Sequence, residues 1–180
     1  MKRLFGILVA TAALAWAQGK QAVNTQNVEL TVYLLSGSTQ GTADDVPTDL
    51  ASTVNQLHSV FAYKSYKLTA SFMLRGRLGG GAKAEGILPG GAGIRYEFRY
   101  SEVQVSSETP PVFRIYGLHI ILTNGGYYRK GADGKTVPDI LASIATDLDI
   151  REGQKTVVGK SSINSTGDAL ILVIVPKLVQ

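Results

Sequence analysis

The sequence predicts an α+β fold, a largely antiparallel sheet of six to eight strands with one amphipathic helix packed on it. Three observations carry that prediction. One stretch, Asp44–Phe61, repeats its apolar residues at helical spacing. Several others alternate apolar and polar residues with a period of two. Turn signals rich in Gly, Pro, Asn and Asp separate them. At 180 residues, 44% hydrophobic and 18% charged, the chain has ordinary globular composition and enough length for one core.

The opening unit is strand, helix, strand. In VELTVYLL, Val28, Leu30, Val32 and Leu34 share one face. In DDVPTDLASTVNQLHSVF, Val46, Leu50, Val54, Leu57 and Phe61 form one stripe. Asp44 or Asp45 is placed to cap that helix, and Pro47 fits its first turn, where the missing N–H costs nothing. The following segment, YKSYKLTASFMLRGR, alternates through Leu68, Ala70, Phe72 and Leu74. Gly76–Gly93 then holds eight of the twenty glycines. Glycine loses the most backbone entropy on folding and buries nothing, so this segment is expected to be a flexible loop.

IRYEFRY is the clearest half-buried strand: Ile94, Tyr96, Phe98 and Tyr100 alternate with Arg95, Glu97 and Arg99. Val103 and Val105 have the opposite parity, which predicts a bulge near Ser101–Glu102. VFRIYGLHIILT forms a returning strand, and NGGYYRKGADGKTVP a turn-rich loop. Residues 138–150 admit either a strand, with Ile140, Ala142, Ile144, Leu148 and Ile150 at even positions, or a short helix over Pro138–Ala145. The chain closes with KTVVGKSSI, the loop NSTGD and ALILVIVPKLV. A run apolar on both faces belongs in the middle of a sheet, or is covered by another molecule. Pro176 has no N–H to give a ladder, so the strand bends or becomes an edge there.

The start of the chain has another pattern. Lys2 and Arg3 precede the apolar stretch Leu4–Ala15, which is too short for an ordinary membrane-spanning helix, and Ala15-Trp16-Ala17 offers small residues to a signal peptidase. Residues 1–17 are therefore expected to be a cleaved signal peptide, 18–27 a polar lead-in, and 28–180 one domain. Taking Lys2 and Arg3 from the 18 basic residues leaves 16 against 14 acidic, a net of +2. With no run of consecutive cations, neither nucleic acid nor a polybasic lipid contact is expected. The chain has no cysteine, which excludes disulfides, thiolate metal sites, a cysteine nucleophile and a lipidated N-terminal cysteine. An exported chain without disulfides suits a bacterial periplasm.

No catalytic, cofactor or metal site is expected. His58 and His119 lie far apart in the sequence with no ligand spacing around them. There is no G-x-S-x-G elbow. The glycine segment leads into a strand rather than a helix, so it is not a phosphate loop. Asp147 and Asp149 share a strand face, but a hard cation needs more oxygen ligands than two carboxylates supply. Interleaved Tyr and Arg are typical of protein interfaces and equally of a half-solvated sheet. The candidate interface residues are Tyr96, Arg99, Tyr100, Tyr127, Tyr128, Ile171, Val173 and Val175.

IREGQKTVVGKSSI (Ile150–Ile163) and ALILVIVPKLV (Ala169–Val179) resemble the closing hairpin of the bacterial secretin β-core. Secretins are the outer-membrane ring channels of type II and III secretion and type IV pili. Between the two stretches NSTGD stands where the family carries V-P-x-L-G and I-P-x-x-G motifs. The resemblance implies an envelope protein, secretin-like or secretin-associated, that keeps this hairpin. The expectation is a non-enzymatic exported protein of a Gram-negative envelope, contacting an envelope partner or itself through an edge strand. It has no cofactor and no transmembrane helix in the mature chain. The alternative is a periplasmic small-molecule or glycan-binding module, with residues 76–93 and 124–138 around Tyr127 and Tyr128.

Overall fold

The computed structural model describes residues 26–90, 93–163 and 167–179. The expected signal peptide and most of the polar lead-in lie outside the described residues. The element order is β1 (Asn27–Ser38), a 3₁₀ turn (Thr48–Leu50), α1 (Ala51–Val60), β2 (Ser65–Arg77), β3 (Ala82–Ile87), β4 (Ile94–Tyr100), β5 (Glu102–Val105), β6 (Val112–Lys130), β7 (Thr136–Arg151), β8 (Thr156–Ser162) and β9 (Ala169–Val179). The helix–sheet combination and the antiparallel pairing are as expected. The strands are more numerous, nine among the described residues, and they form two sheets rather than one.

The first sheet has the order β2-β1-β9-β8. In the second, β3 pairs β4 and β4 pairs β6. β5 lies along the same side of β6 as β4, and β7 fills the other side. The inner faces pack Val28, Leu30, Val32 and Leu34 of β1 and Leu170, Leu172 and Ile174 of β9 against Phe98, Phe113, Ile120 and Ile144 of the second sheet. A separate cluster lies on the far side of the first sheet. There Leu50, Val54 and Leu57 of the helical segment cover Leu35, Tyr66, Ile171 and Val173. The layers are therefore helix, sheet, sheet.

This arrangement explains the apolar run at the chain terminus. β9 sits between β1 and β8, with its even residues in the inter-sheet core and its odd residues Ile171 and Val173 beneath the helix. Each of these side chains contributes on the order of 2 kcal/mol by leaving water. β8 stops pairing at Thr156↔Ile174. Past that rung the Pro176 carbonyl accepts from Gly153 N–H at 2.9 Å. The Leu178 N–H donates to Glu152 Oε1 at 2.8 Å. The strand does become an edge at Pro176, and a carboxylate satisfies the exposed donor.

Two local expectations change, and one open choice is decided. Gly76–Gly93 is not a loop throughout, because β3 forms inside it and pairs with β4 from Ala82↔Tyr100 to Ile87↔Arg95. Gly86 faces Tyr96, and a Cβ there would meet the Tyr96 ring at 2.6 Å, so the missing side chain lets the ring lie against the strand. Residues 138–150 are strand, not helix, with Ala142, Ile144 and Ile150 turned to the core. Asp44 does not cap the helix; it takes the Tyr66 N–H at 2.8 Å and His58 Nε2 at 2.9 Å, joining the end of α1 to the start of β2. The parity change at Ser101 is present and lies opposite Gly117, where φ is +59° and a Cβ would meet Ser101 Oγ at 2.4 Å. Among the described residues, no helix is long and apolar enough to cross a membrane.

Candidate interaction surface

The expected interface residues do not form one surface. Tyr100 is buried in the inter-sheet core, with no partner for its hydroxyl among the described residues. Burial raises its pKa above the ordinary phenol value. Ile171 and Val173 are fully buried under α1, and Val175 is half-buried farther along β9. β9 has a strand on each side as far as Ile174, so among the described residues its ladder is open on one edge only past that rung. For Ile171 and Val173 that corrects the expectation: their side of β9 is covered by the chain's own helix. Tyr96 is half-buried and stacks on Phe72, centroids 4.8 Å apart with 15° between the rings. Arg99 lies on the outer face of the second sheet, 3.7 Å from Glu97 and 3.4 Å from His119.

That outer face is a network of charges. Lys83 reaches Glu85 and, at 3.0 Å, Glu97, and Arg114 lies 3.7 Å from Asp149. His119 Nε2 is 3.0 Å from Ser143 Oγ. Exposed pairs of this kind contribute little to stability. Charge on an edge such as β3 also discourages pairing with a stray strand. Asp147 is taken by the Gly117 N–H. Among the described residues, no group of three or more His, Cys, Asp or Glu converges on a metal-sized site.

Tyr127 and Tyr128 are placed differently. The β4 ladder on β6 ends at Ile94↔Asn124, beyond which, among the described residues, β6 pairs with β7, at Tyr128↔Pro138, Arg129↔Val137 and Lys130↔Thr136. A turn closed by Gly131 N–H to Lys135 O, 2.8 Å, ends this arm. Successive residues of a strand point to opposite faces. Tyr127 and Tyr128 are nonetheless both 66% exposed, so neither face of the arm rests on the body of the protein. The arm's edge tolerates Pro138, which has no N–H to leave unpaired.

The root of the arm is fixed to the β4 end by Gly125 N–H donating to Gly93 O at 3.1 Å. A Cβ on Gly125 would meet that oxygen at 2.1 Å, so no other residue fits. Arg95, Thr123, Asn124, Tyr127, Tyr128 and Pro138 line a shallow cleft there of about 350 Å³. It can take a flat or extended group between two phenols and a guanidinium. Arg95 and Thr123 are the members that lie outside residues 124–138, the loop that sequence reasoning placed around Tyr127 and Tyr128.

No known protein family and no curated protein matches this chain. Among solved structures, it is similar to the secretin InvG of the Salmonella SPI-1 type III secretion injectisome, residues 176 to the end, in the open gate state. The TM-score is 0.44 and the sequence identity 12%, over 86% of this chain and 61% of that one. The chain thus spans less than two thirds of the structure it matches.

Proposed function

We propose that the protein is an exported, non-enzymatic component of a Gram-negative cell envelope that acts by protein–protein contact, as a secretin-like or secretin-associated part of a secretion or pilus system. The observation that carries this reading is the β6–β7 arm, with tyrosines exposed on both faces and Arg129 and Lys130 beside them. Tyr and Arg are the residues interfaces use most effectively, because a stiff ring or planar cation covers area at small entropic cost. The signal-like Met1–Ala17 and the secretin-like closing hairpin support the compartment and the system. Partner contact runs through the arm and its root rather than through β9, which is paired on both sides from Ala169 to Ile174.

The test is a photo-crosslinking side chain placed in turn at Tyr127, Tyr128 and the 70%-exposed helix residue Val60, with irradiation of intact cells. Adducts to a secretin or pilus component at the two arm positions, and none at Val60, are expected. Absence of arm adducts, or the same adducts at all three positions, overturns the reading.

A further inference from the structure

The inner face of β1 carries Val28, Leu30, Val32 and Leu34 and then, at the next inward position, Ser36. Its cross-strand neighbour is Leu170. The large rings of the core, Phe72, Tyr96, Phe98 and Phe113, belong to the rest of the sandwich. At the Ser36 end the described residues that face each other across the sheets are mainly aliphatic. A cleft of about 500 Å³ opens there. Its walls come from both sheets and include Leu88, Ile94, Leu122, Leu141 and Leu170, of which Leu88, Leu122 and Leu170 are no more than 5% exposed. The polar groups are few: Ser36, Thr69 and one charge, Lys67. The Lys67 side chain is 68% exposed, with Asp45 3.6 Å from its Nζ.

We infer that this cleft is a binding site for a single-chain amphiphile, with an aliphatic tail between the sheets and an anionic head near Lys67. Three observations converge on that chemistry. The volume lies in the range of ~300–1,000 Å³ that small-molecule sites occupy. Among the described residues the walls are mostly aliphatic, with no aromatic ring in the lining on which a sugar or nucleobase would stack. The one cation stands at the solvent side, where an anionic head remains hydrated while the tail is buried. A core position held by serine in an otherwise apolar series leaves stability unused, because packing to interior density there would stabilise the fold. The site lies apart from the arm's solvent-facing tyrosines, so it stands or falls independently of the proposed partner contact.

The test is calorimetric titration of the purified protein with decanoate and with decanol, below micelle-forming concentrations. Wild type binds decanoate. Ser36→Leu, which continues the inward apolar series, raises the thermal midpoint and weakens decanoate by about tenfold or more. Leu122→Phe, which narrows the cleft from the other sheet, weakens it likewise. If Ser36→Leu fails to fold, Leu141→Phe at the half-buried rim carries the same comparison. Lys67→Gln weakens decanoate by about threefold, the scale of an exposed charge contact, and leaves decanol unchanged. Absence of decanoate binding by wild type, or wild-type affinity in the folded filled variants, overturns the site. Equal weakening of decanol by Lys67→Gln overturns the placement of the head.

Discussion

β9 and the β6–β7 arm are both strands whose two faces meet the same environment, and the environments are opposite. β9 has protein on each face and a strand at each edge along most of its length. The arm beyond Gly125 has solvent on each face. Apolar residues on both faces mark the first, while Tyr, Arg and Lys on both faces mark the second. A strand apolar throughout is thus the centre of this molecule rather than an offer to a neighbour. The surface available to a neighbour is the strand with no core face at all.

That contrast can be broken at its strongest point with a charge in β9. Val173→Asp puts a carboxylate under α1 with no partner and is expected to cost more than about 4 kcal/mol, unfolding the protein in a denaturant melt. A folded Val173→Asp protein would mean that the helix does not cover the strand. Leu57→Ala, on the covering helix, is expected to cost about 2–4 kcal/mol by the same measurement, because it leaves a cavity over Ile171 and Val173. Glu152→Ala removes the acceptor for Leu178 N–H where β8 has stopped, with an expected loss of about 1 kcal/mol. Hydrogen exchange at Leu178 should accelerate while that at Leu172 does not.

A smaller effect lies at the helix–β2 junction. Burial pushes the Asp44 carboxyl up, but the hydrogen bonds from His58 and the Tyr66 N–H, with the charge of His58, outweigh it and hold the pKa below the ordinary carboxylate value. The stabilisation is present above that ordinary value and is lost as the pH falls through the depressed one. Asp44→Asn should flatten that acid limb of a stability-versus-pH curve. The arm gives the smallest change. Tyr127→Ala with Tyr128→Ala is expected to leave stability within about 0.5 kcal/mol of wild type while removing envelope crosslinks.

What was legible in the sequence follows the same division. The helix, the IRYEFRY strand and the two-faced terminal strand were legible because each buries a face, and a buried face writes a period into the residues. The arm reads as a loop because a strand wet on both sides has no apolar period to read. β3 was missed because its stability comes from elsewhere: Gly86 makes sense only beside Tyr96 on the next strand. The position of Ile171 and Val173 was unreadable for a related reason. Strand order is a non-local fact: the β8–β9 hairpin is legible in the sequence, but not that β1 lies on the other side of β9. Asp44 reads as a helix cap because it precedes the apolar stripe, but its carboxylate takes the Tyr66 N–H of β2, a contact 22 residues away that local sequence does not show. Of the expected interface, Tyr127 and Tyr128 remain exposed together, and Arg95 joins them through the fold.

The most direct measurement is native-state hydrogen exchange on the purified protein, followed residue by residue in β9 and in the arm. Amides from Leu170 to Ile174 are expected to exchange only through global unfolding, and those of Tyr128 to Lys130 many orders faster, through local opening. If β9 exchanged at the rate of the arm, the terminal strand would be loosely held and free for a partner, and the account would be contradicted.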